Sequence, residues 1–301
     1  AVISKKAWQS TLFFVLRYGA IFLALCYFYK LKFFDQNAVF AFLFVGLGIL
    51  SVSVIYQLVS STDAIVFSSD SVRGGLSGSL SNRNILGLFM GFGLCLSAVA
   101  IRRPLALKFA ALFLFAFFMI FSFSRAAWVG AFCALAFYGA LNLKSLNKKY
   151  LLFTVGFIAL FAVLLALSPS FEQRLAALFS GNSSGRTVIW SYILEMAQEK
   201  PILGYGLGSY INLPGSPVLE HPEYNAPHNL FLEILLYSGA LGLIFYGAIL
   251  FSVFKECVQS RQFGILTLLI YLLIDCQFDH GAYLSVSYTH LRAHETVLDL
   301  V

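Results

Sequence analysis

Apolar residues in this chain fall into eight long runs, separated by short polar connections and by one large polar segment. A run of this length crosses a bilayer as a helix. The runs do not alternate as the strands of a β-barrel do, and in lipid the backbone groups of a helix pair within their own segment. The pattern predicts an all-α polytopic membrane protein with a membrane domain over residues 1–284 and transmembrane helices at about 11–29, 38–59, 85–101, 105–123, 126–142, 150–168, 230–254 and 263–284.

Composition supports the same class. The 301 residues are 59% hydrophobic and 11% charged, with a mean hydropathy of +0.83. A soluble domain could not bury that much apolar surface. The net charge of +6 is spread over loops and forms no basic stripe, and no nucleic-acid-binding motif is visible, so we expect no nucleic acid partner. Four of the five cysteines lie in apolar runs and none forms a CxxC pair, which indicates small buried side chains.

Basic residues predict the orientation of the spans. Strict alternation of eight helices brings four basic clusters to one side, which the positive-inside rule makes cytoplasmic: Lys30 with Lys32, Arg102 with Arg103 and Lys108, Lys144 with Lys148 and Lys149, and Lys255 with Arg261. Lys5 and Lys6 fall on the other side. That external side also carries the 60–84 connection, the junction at Arg125 and a large loop at 169–229.

Arginines on the external side are the first candidates for chemistry. Arg125 is flanked directly by apolar runs, and a guanidinium at that depth needs an anion or several carbonyl groups. Arg186 opens a helical pattern inside the 169–229 loop, where backbone N–H groups also favour an anion. For Arg186, an ordinary surface arginine on a surface helix also fits.

The 169–229 loop contains a predicted amphipathic helix that begins at Arg186 and ends before Pro201. Its apolar face, which we expect to lie on the membrane surface, comprises Val188, Ile189, Tyr192, Ile193 and Met196. The Gly204-x-Gly206-x-Gly208 segment that follows lacks the spacing of a dinucleotide fingerprint. It favours a flexible turn in which Tyr205 could stack on sugars.

His228 stands at the mouth of the seventh span, directly after Pro227, and Glu233 lies about one turn into that span. A carboxylate at this depth is costly unless it is paired, and His228 or an external arginine could pair with it. Histidines and carboxylates near residues 220–228 invite a zinc hypothesis, but their spacing fits no helical zinc motif, so we expect no metal site. An ordinary loop histidine also fits.

Both ends of the sequence are atypical. The chain starts at Ala1 without Met, and we expect a fragment that lacks earlier spans. Residues 285–301 resemble translated adaptor sequence, so we treat that tail as non-native and exclude its His290 and His294 from the search for sites.

Four stretches together resemble the O-antigen ligase/polymerase superfamily of bacterial envelopes. The first runs from Arg73 to Asn84 and is similar to the family's Arg–Gly–Asn loop before a span. The other three are Ser124-Arg125-Ala-Ala-Trp128-Val-Gly130, then Gly185-Arg186 with Trp190 followed by Pro201-Ile-Leu-Gly204-x-Gly206-x-Gly208, and finally Pro227-His228-Asn229-x-Phe231-Leu-Glu233 with Gly239 and Gly242. They cover about residues 70–245 in family order.

The resemblance implies a glycosyltransferase of lipopolysaccharide biosynthesis in the bacterial inner membrane, with its loop in the periplasm. It would move a glycan from a polyprenyl (undecaprenyl) diphosphate carrier to an acceptor such as lipid A-core, without a cofactor or metal. Arg125 and Arg186 would hold the diphosphate, and His228 would act as general base. The weaker candidates for substrate contact are Arg73, Asn84, Glu233 and Tyr205.

Other functions fit the same sequence. Within the superfamily, an O-antigen polymerase or a protein O-oligosaccharyltransferase would use the same donor with another acceptor. An anion or solute transporter is the alternative from a different class. Transporters favour inverted repeats and charges near the middle of the membrane. This sequence shows no clear repeat, and its unusual charges lie at the predicted external rim.

Overall fold

The computed structural model describes residues 36–60, 75–80, 82–101, 104–142, 185–221, 224 and 226–278, with single positions between 155 and 176. The predicted span 11–29, most of 150–168 and of the loop start at 169–184, and the tail 285–301 lie outside the described residues, as does Arg73.

Within that part of the chain the fold is all-α, as predicted, and it contains no strand. Its helices are α1 (Gln36–Ser60), α2 (Arg83–Ala100), α3 (Leu105–Phe121), α4 (Arg125–Leu141), α5 (Arg186–Glu199), α6 (Leu230–Gln259) and α7 (Phe263–Asp275). Helices α1, α2 and α6 are long and apolar enough to cross a membrane, and α3, α4 and α7 are shorter apolar helices. The molecule is a membrane protein; the count of eight spans and their orientation stay predictions.

Capping residues explain where several helices begin. The Asn82 side chain accepts hydrogen bonds from the backbone N–H groups of Asn84 and Ile85, so α2 starts two residues before the predicted span. Asn82 is thus the N-cap of α2. Helix α7 ends at Asp275, well before the predicted boundary at 284, because the chain turns at Cys276.

Helices α1–α4 and α7 form the helix bundle, and each contributes to its core. Val54, Leu86, Phe118, Ala127 and Tyr271 come from these five helices in turn and are at most 2% exposed. Glycine allows the closest approach: a Cβ on Gly91 of α2 would collide with the Tyr271 hydroxyl. That hydroxyl donates to the carbonyl of Leu88 at 2.9 Å. The bundle is therefore packed tightly enough to hold its ends in fixed positions.

Helix α5 packs against the start of α6. Ile189 and Ile193 of α5 form a small apolar group with Tyr210 and Leu236, which we call the loop cluster. The predicted helix is confirmed, but its environment differs from the expectation. The buried stripe is Ile189, Ile193 and Ala197, it packs on protein rather than facing a membrane, and Val188 is 52% exposed.

Helix α6 is broken at Gly239, whose φ is 63° and ψ is −163°. Residues 201–206 occupy the break. The carbonyls of Leu236 and Tyr237 accept from the N–H groups of Tyr205 (2.8 Å) and Gly206 (2.9 Å). On the other side of the break, Ala240 and Leu241 donate to the carbonyls of Pro201 (2.7 Å) and Ile202 (3.2 Å). The inserted segment replaces both partners of two interrupted helical hydrogen bonds.

Candidate active site at one end of the bundle

Arg125 is the first residue of α4 and is half-buried. The turn before it is fixed on several sides. Ser124 caps α4 by accepting from Ala127 N–H at 3.4 Å, and Phe123 is fully buried in a left-handed conformation with φ 54°. Gly87 of α2 lies so close to Ser124 that it leaves no room for a Cβ. The guanidinium thus extends from a rigid turn at one end of the bundle.

The Arg–Gly–Asn loop packs against this same turn. Leu76 N–H donates to the carbonyl of Phe121 at 2.9 Å, and Gly75 lies against Ser122 and Phe123. Asn84 is half-buried at the start of α2, at the same end of the bundle. Contact of Asn84 or Arg73 with a substrate stays a prediction.

Arg186 is the first residue of α5 and is half-buried. Gly185 precedes it with φ 79°, and the Tyr224 ring lies directly against the space where a Cβ would be. A side chain at 185 would therefore be strained and would collide with Tyr224. The glycine fixes the start of α5 and with it the position of Arg186.

Arg125 and Arg186 affect one another electrostatically although 61 positions separate them in the sequence. Burial, and then the positive charge of Arg186, lower the pKa of the Arg125 guanidinium. Two half-buried cations that repel each other favour an anion close to both. The pair is therefore suited to a ligand with more than one negative charge, such as a diphosphate.

His228 is tied to α5 through the residue before it. The indole Nε1 of Trp190, one turn after Arg186, donates to the carbonyl of Pro227 at 3.0 Å. His228 itself is half-buried with φ 52°, which is uncommon for a residue with a side chain. Asn229 then caps α6 by accepting from Leu232 N–H at 3.0 Å. The imidazole thus lies at a constrained junction beside the helix that carries Arg186.

Glu233 lies in the first turn of α6 and is 3% exposed. The N-terminal end of a helix stabilises a carboxylate, which offsets part of the cost of burying it. Its predicted role in holding His228 stays a prediction.

Tyr205 has protein partners on its ring and its hydroxyl. The hydroxyl donates to Glu199 at 2.5 Å, and the Lys200 ammonium lies 4.4 Å from the ring centre. The hydrogen bond to Glu199, followed by burial, raises the pKa of Tyr205 to about 12. One ring face therefore already holds a cation, and stacking on a sugar stays a prediction for the other face.

Asp275 belongs to this end of the molecule but was not singled out from the sequence. It is fully buried at the last position of α7. The next residue, Cys276, accepts from Leu230 N–H at 3.0 Å, and Gln277 accepts from the Asn229 side chain at 3.2 Å. A carboxylate inside an apolar run is a candidate for function, and this pattern in the sequence indicates Asp275 as a further candidate.

These attachments bring separate parts of the chain to one end of the bundle. Helices α2, α4 and α6 begin there, and α3 and α7 end there, so Arg125 and His228 lie at the same end as Asp275. Arg186 joins them through Trp190 and through its interaction with Arg125. Two guanidinium groups and an imidazole can bind an anionic leaving group and move a proton.

Comparisons with known proteins support the family resemblance. Residues 110–247 match the family model described as O-Antigen ligase. This range contains Arg125, Arg186 and His228 and stops before Asp275.

The chain also resembles Rickettsia proteins named "Putative polysaccharide ligase". The match from Rickettsia conorii is 35% identical over 92 residues, which are 27% of this chain and 22% of that protein. The match from Rickettsia felis is 32% identical over 92 residues, which are 27% of this chain and 23% of that protein. The chain therefore matches less than a quarter of the length of either relative. Over the part that the family model covers, the comparisons support the resemblance to the O-antigen ligase superfamily.

Proposed function

We propose that this protein is an O-antigen ligase-type glycosyltransferase of the bacterial inner membrane, acting at the periplasmic face. It transfers a glycan from undecaprenyl diphosphate to an acceptor such as lipid A-core. Two observations carry the proposal together. The positive charge of Arg186 acts on Arg125, and Trp190, one turn after Arg186, donates a hydrogen bond to the carbonyl of Pro227, the residue before His228.

In the reaction the anomeric carbon exchanges its bond to the diphosphate oxygen for a bond to the acceptor hydroxyl oxygen. His228 accepts the proton of that hydroxyl. Arg125 and Arg186 bind the departing diphosphate more strongly as its negative charge grows, which lowers the barrier. Glu233 orients the imidazole. No metal is needed, since the two arginines supply the positive charge.

Transfer in vitro tests the proposal. Purified protein in liposomes is mixed with a polyprenyl-diphosphate glycan and one acceptor at a time, with chelator present. Glycan on lipid A-core is the expected product. Product only on a second repeat unit indicates a polymerase, and product only on Ser/Thr side chains indicates a protein glycosyltransferase. Solute uptake without any glycan transfer would overturn the enzymatic function.

Arg125→Lys and Arg186→Lys sharpen the test, because lysine keeps the charge but loses bidentate binding of phosphate oxygens. Both variants should fold and should transfer glycan far more slowly. Lys200→Ala, which removes an exposed cation on the same loop, is the matched control and should leave transfer close to normal.

A further inference from the structure

The segment that occupies the break in α6 exposes two large apolar side chains. Ile202 is 66% exposed and Leu203 is 70% exposed. Part of the backbone of this turn is hydrogen-bonded: the Ile202 carbonyl accepts from Leu241 N–H, and Gly204 N–H donates to the carbonyl of Lys200 at 3.1 Å. The turn therefore presents apolar side chains outward while several of its backbone groups are paired, a combination that suits an apolar surrounding.

The position of this turn along α6 coincides with a membrane boundary. The apolar part of α6 after the break, 240–254, is about 22 Å long as a helix, somewhat shorter than the hydrocarbon core of about 30 Å. Irregular backbone open to lipid does not occur within that core. The inserted segment, 201–206, must therefore lie no deeper than the interface.

The neighbouring residues have the chemistry of an interface. Lys200 and Glu199 are exposed on the polar side of the turn, and Tyr205 lies beneath the Lys200 ammonium. Tyrosine is enriched at the level of the lipid headgroups, and lysine extends its charge toward water from there. Beyond the break, the exposed apolar surface continues along α6 through Leu241, Ile244, Phe245 and Ile249.

We propose that Ile202 and Leu203 form a membrane anchor that inserts into the lipid interface beside the Gly239 break and fixes the height of the 185–208 segment above the bilayer. The occupant of this apolar surface is lipid, because the surface is continuous with the exposed face of a helix long enough to cross the membrane. The anchor does not depend on the transfer reaction. The anchor, and not α5, is the part of the loop that contacts the membrane, because protein covers the apolar face of α5.

Site-directed spin labelling tests the anchor. Leu203→Cys and Leu219→Cys are labelled with a nitroxide and reconstituted in phosphatidylcholine liposomes. Leu219 is 69% exposed on a different turn of the same loop, so it is a matched control for exposure. Labelled wild-type protein gives the background from the native cysteines, of which Cys95, Cys257 and Cys276 are buried.

The label at 203 should collide mainly with oxygen, which concentrates in lipid, and the label at 219 mainly with a water-soluble nickel chelate. The oxygen-to-nickel collision ratio should be several-fold higher at 203. Equal oxygen-to-nickel collision ratios at the two positions, whether they indicate water or lipid at both, would overturn the proposed anchor. So would a label at 203 that neither reagent reaches, since that result means protein covers the turn.

Discussion

The helix bundle and the loop cluster hold the candidate site by different means. The bundle fixes Arg125 through close helix packing, in which Gly91 and Tyr271 leave no free space. The loop cluster is small, and single hydrogen bonds from side chains to distant carbonyls hold its surroundings, as with Trp190. Damage to the bundle should therefore reduce stability, whereas damage around the loop cluster should reduce transfer while the protein stays folded.

The largest effect is expected from His228→Ala. Loss of the general base should lower transfer about 10²-fold or more while the bundle stays intact. His221→Ala is the matched control, since His221 is an exposed histidine of the same loop and packs on Tyr224. Initial rates with each purified variant measure the difference. Equal losses in both variants would mean that His228 has no chemical role.

Gly91→Ala should damage the bundle. The added methyl group collides with the Tyr271 hydroxyl, and overpacking of this kind costs about 1–3 kcal/mol. Gly247→Ala on α6 is the control, because nothing lies within 4 Å of its Cβ position. That control should be neutral or stabilise α6 by up to ~1 kcal/mol. Thermal unfolding of the purified proteins in the same detergent compares the two, and equal midpoints would contradict the difference in packing.

Substitution of two tryptophans should separate an effect on transfer from an effect on stability, and both effects should be smaller than those above. Each donates its indole N–H to a carbonyl: Trp190 to Pro227 across the loop, and Trp128 to Met119 at 3.2 Å within the bundle. Trp190→Phe should slow transfer about fivefold, the equivalent of one lost hydrogen bond of ~1 kcal/mol. Trp128→Phe should lower the unfolding temperature and leave the rate per folded molecule unchanged. A slower rate in Trp128→Phe alone would reverse the assignment.

The smallest effect concerns Tyr205 and pH. Its pKa is raised from 10.0 to about 12, first by the hydrogen bond to Glu199. A raised pKa means that this bond stabilises the folded state fully below pH 10 and is lost as the pH rises through about 12. The difference in tyrosinate absorbance between wild type and Tyr205→Phe reports the ionisation. Glu199→Gln should lower the pKa of Tyr205 toward 10, and an unchanged pKa would exclude Glu199 as the cause of the shift.

Local patterns were sufficient to predict most of the helices in the part of the chain that the structure describes. The apolar runs are long, and Asn82 and Asn229 lie immediately before helices whose first N–H groups they cap. The break at Gly239 could not be predicted in this way, because it depends on residues 201–206, more than thirty positions earlier. A glycine within an apolar run is compatible with a continuous helix until its partner segment is known.

Part of the candidate site could also be predicted from the sequence. Arg125 is a candidate because a cation between two apolar runs is costly. The family resemblance indicates Arg186 and His228 as candidates for the same site. Asp275 carried the same signal of a charge in an apolar run and was overlooked. The role of Trp190 required the fold, since nothing local pairs an indole with the carbonyl of Pro227, 37 positions away.

The left-handed backbone of His228 affects how its chemistry is best studied. Alanine at 228 would keep the unfavourable φ of 52°, whereas glycine adopts it without strain. His228→Gly therefore removes the imidazole and relaxes the junction at the same time. The cavity it leaves is the place where free imidazole, added to the buffer, should restore transfer if the ring itself moves the proton.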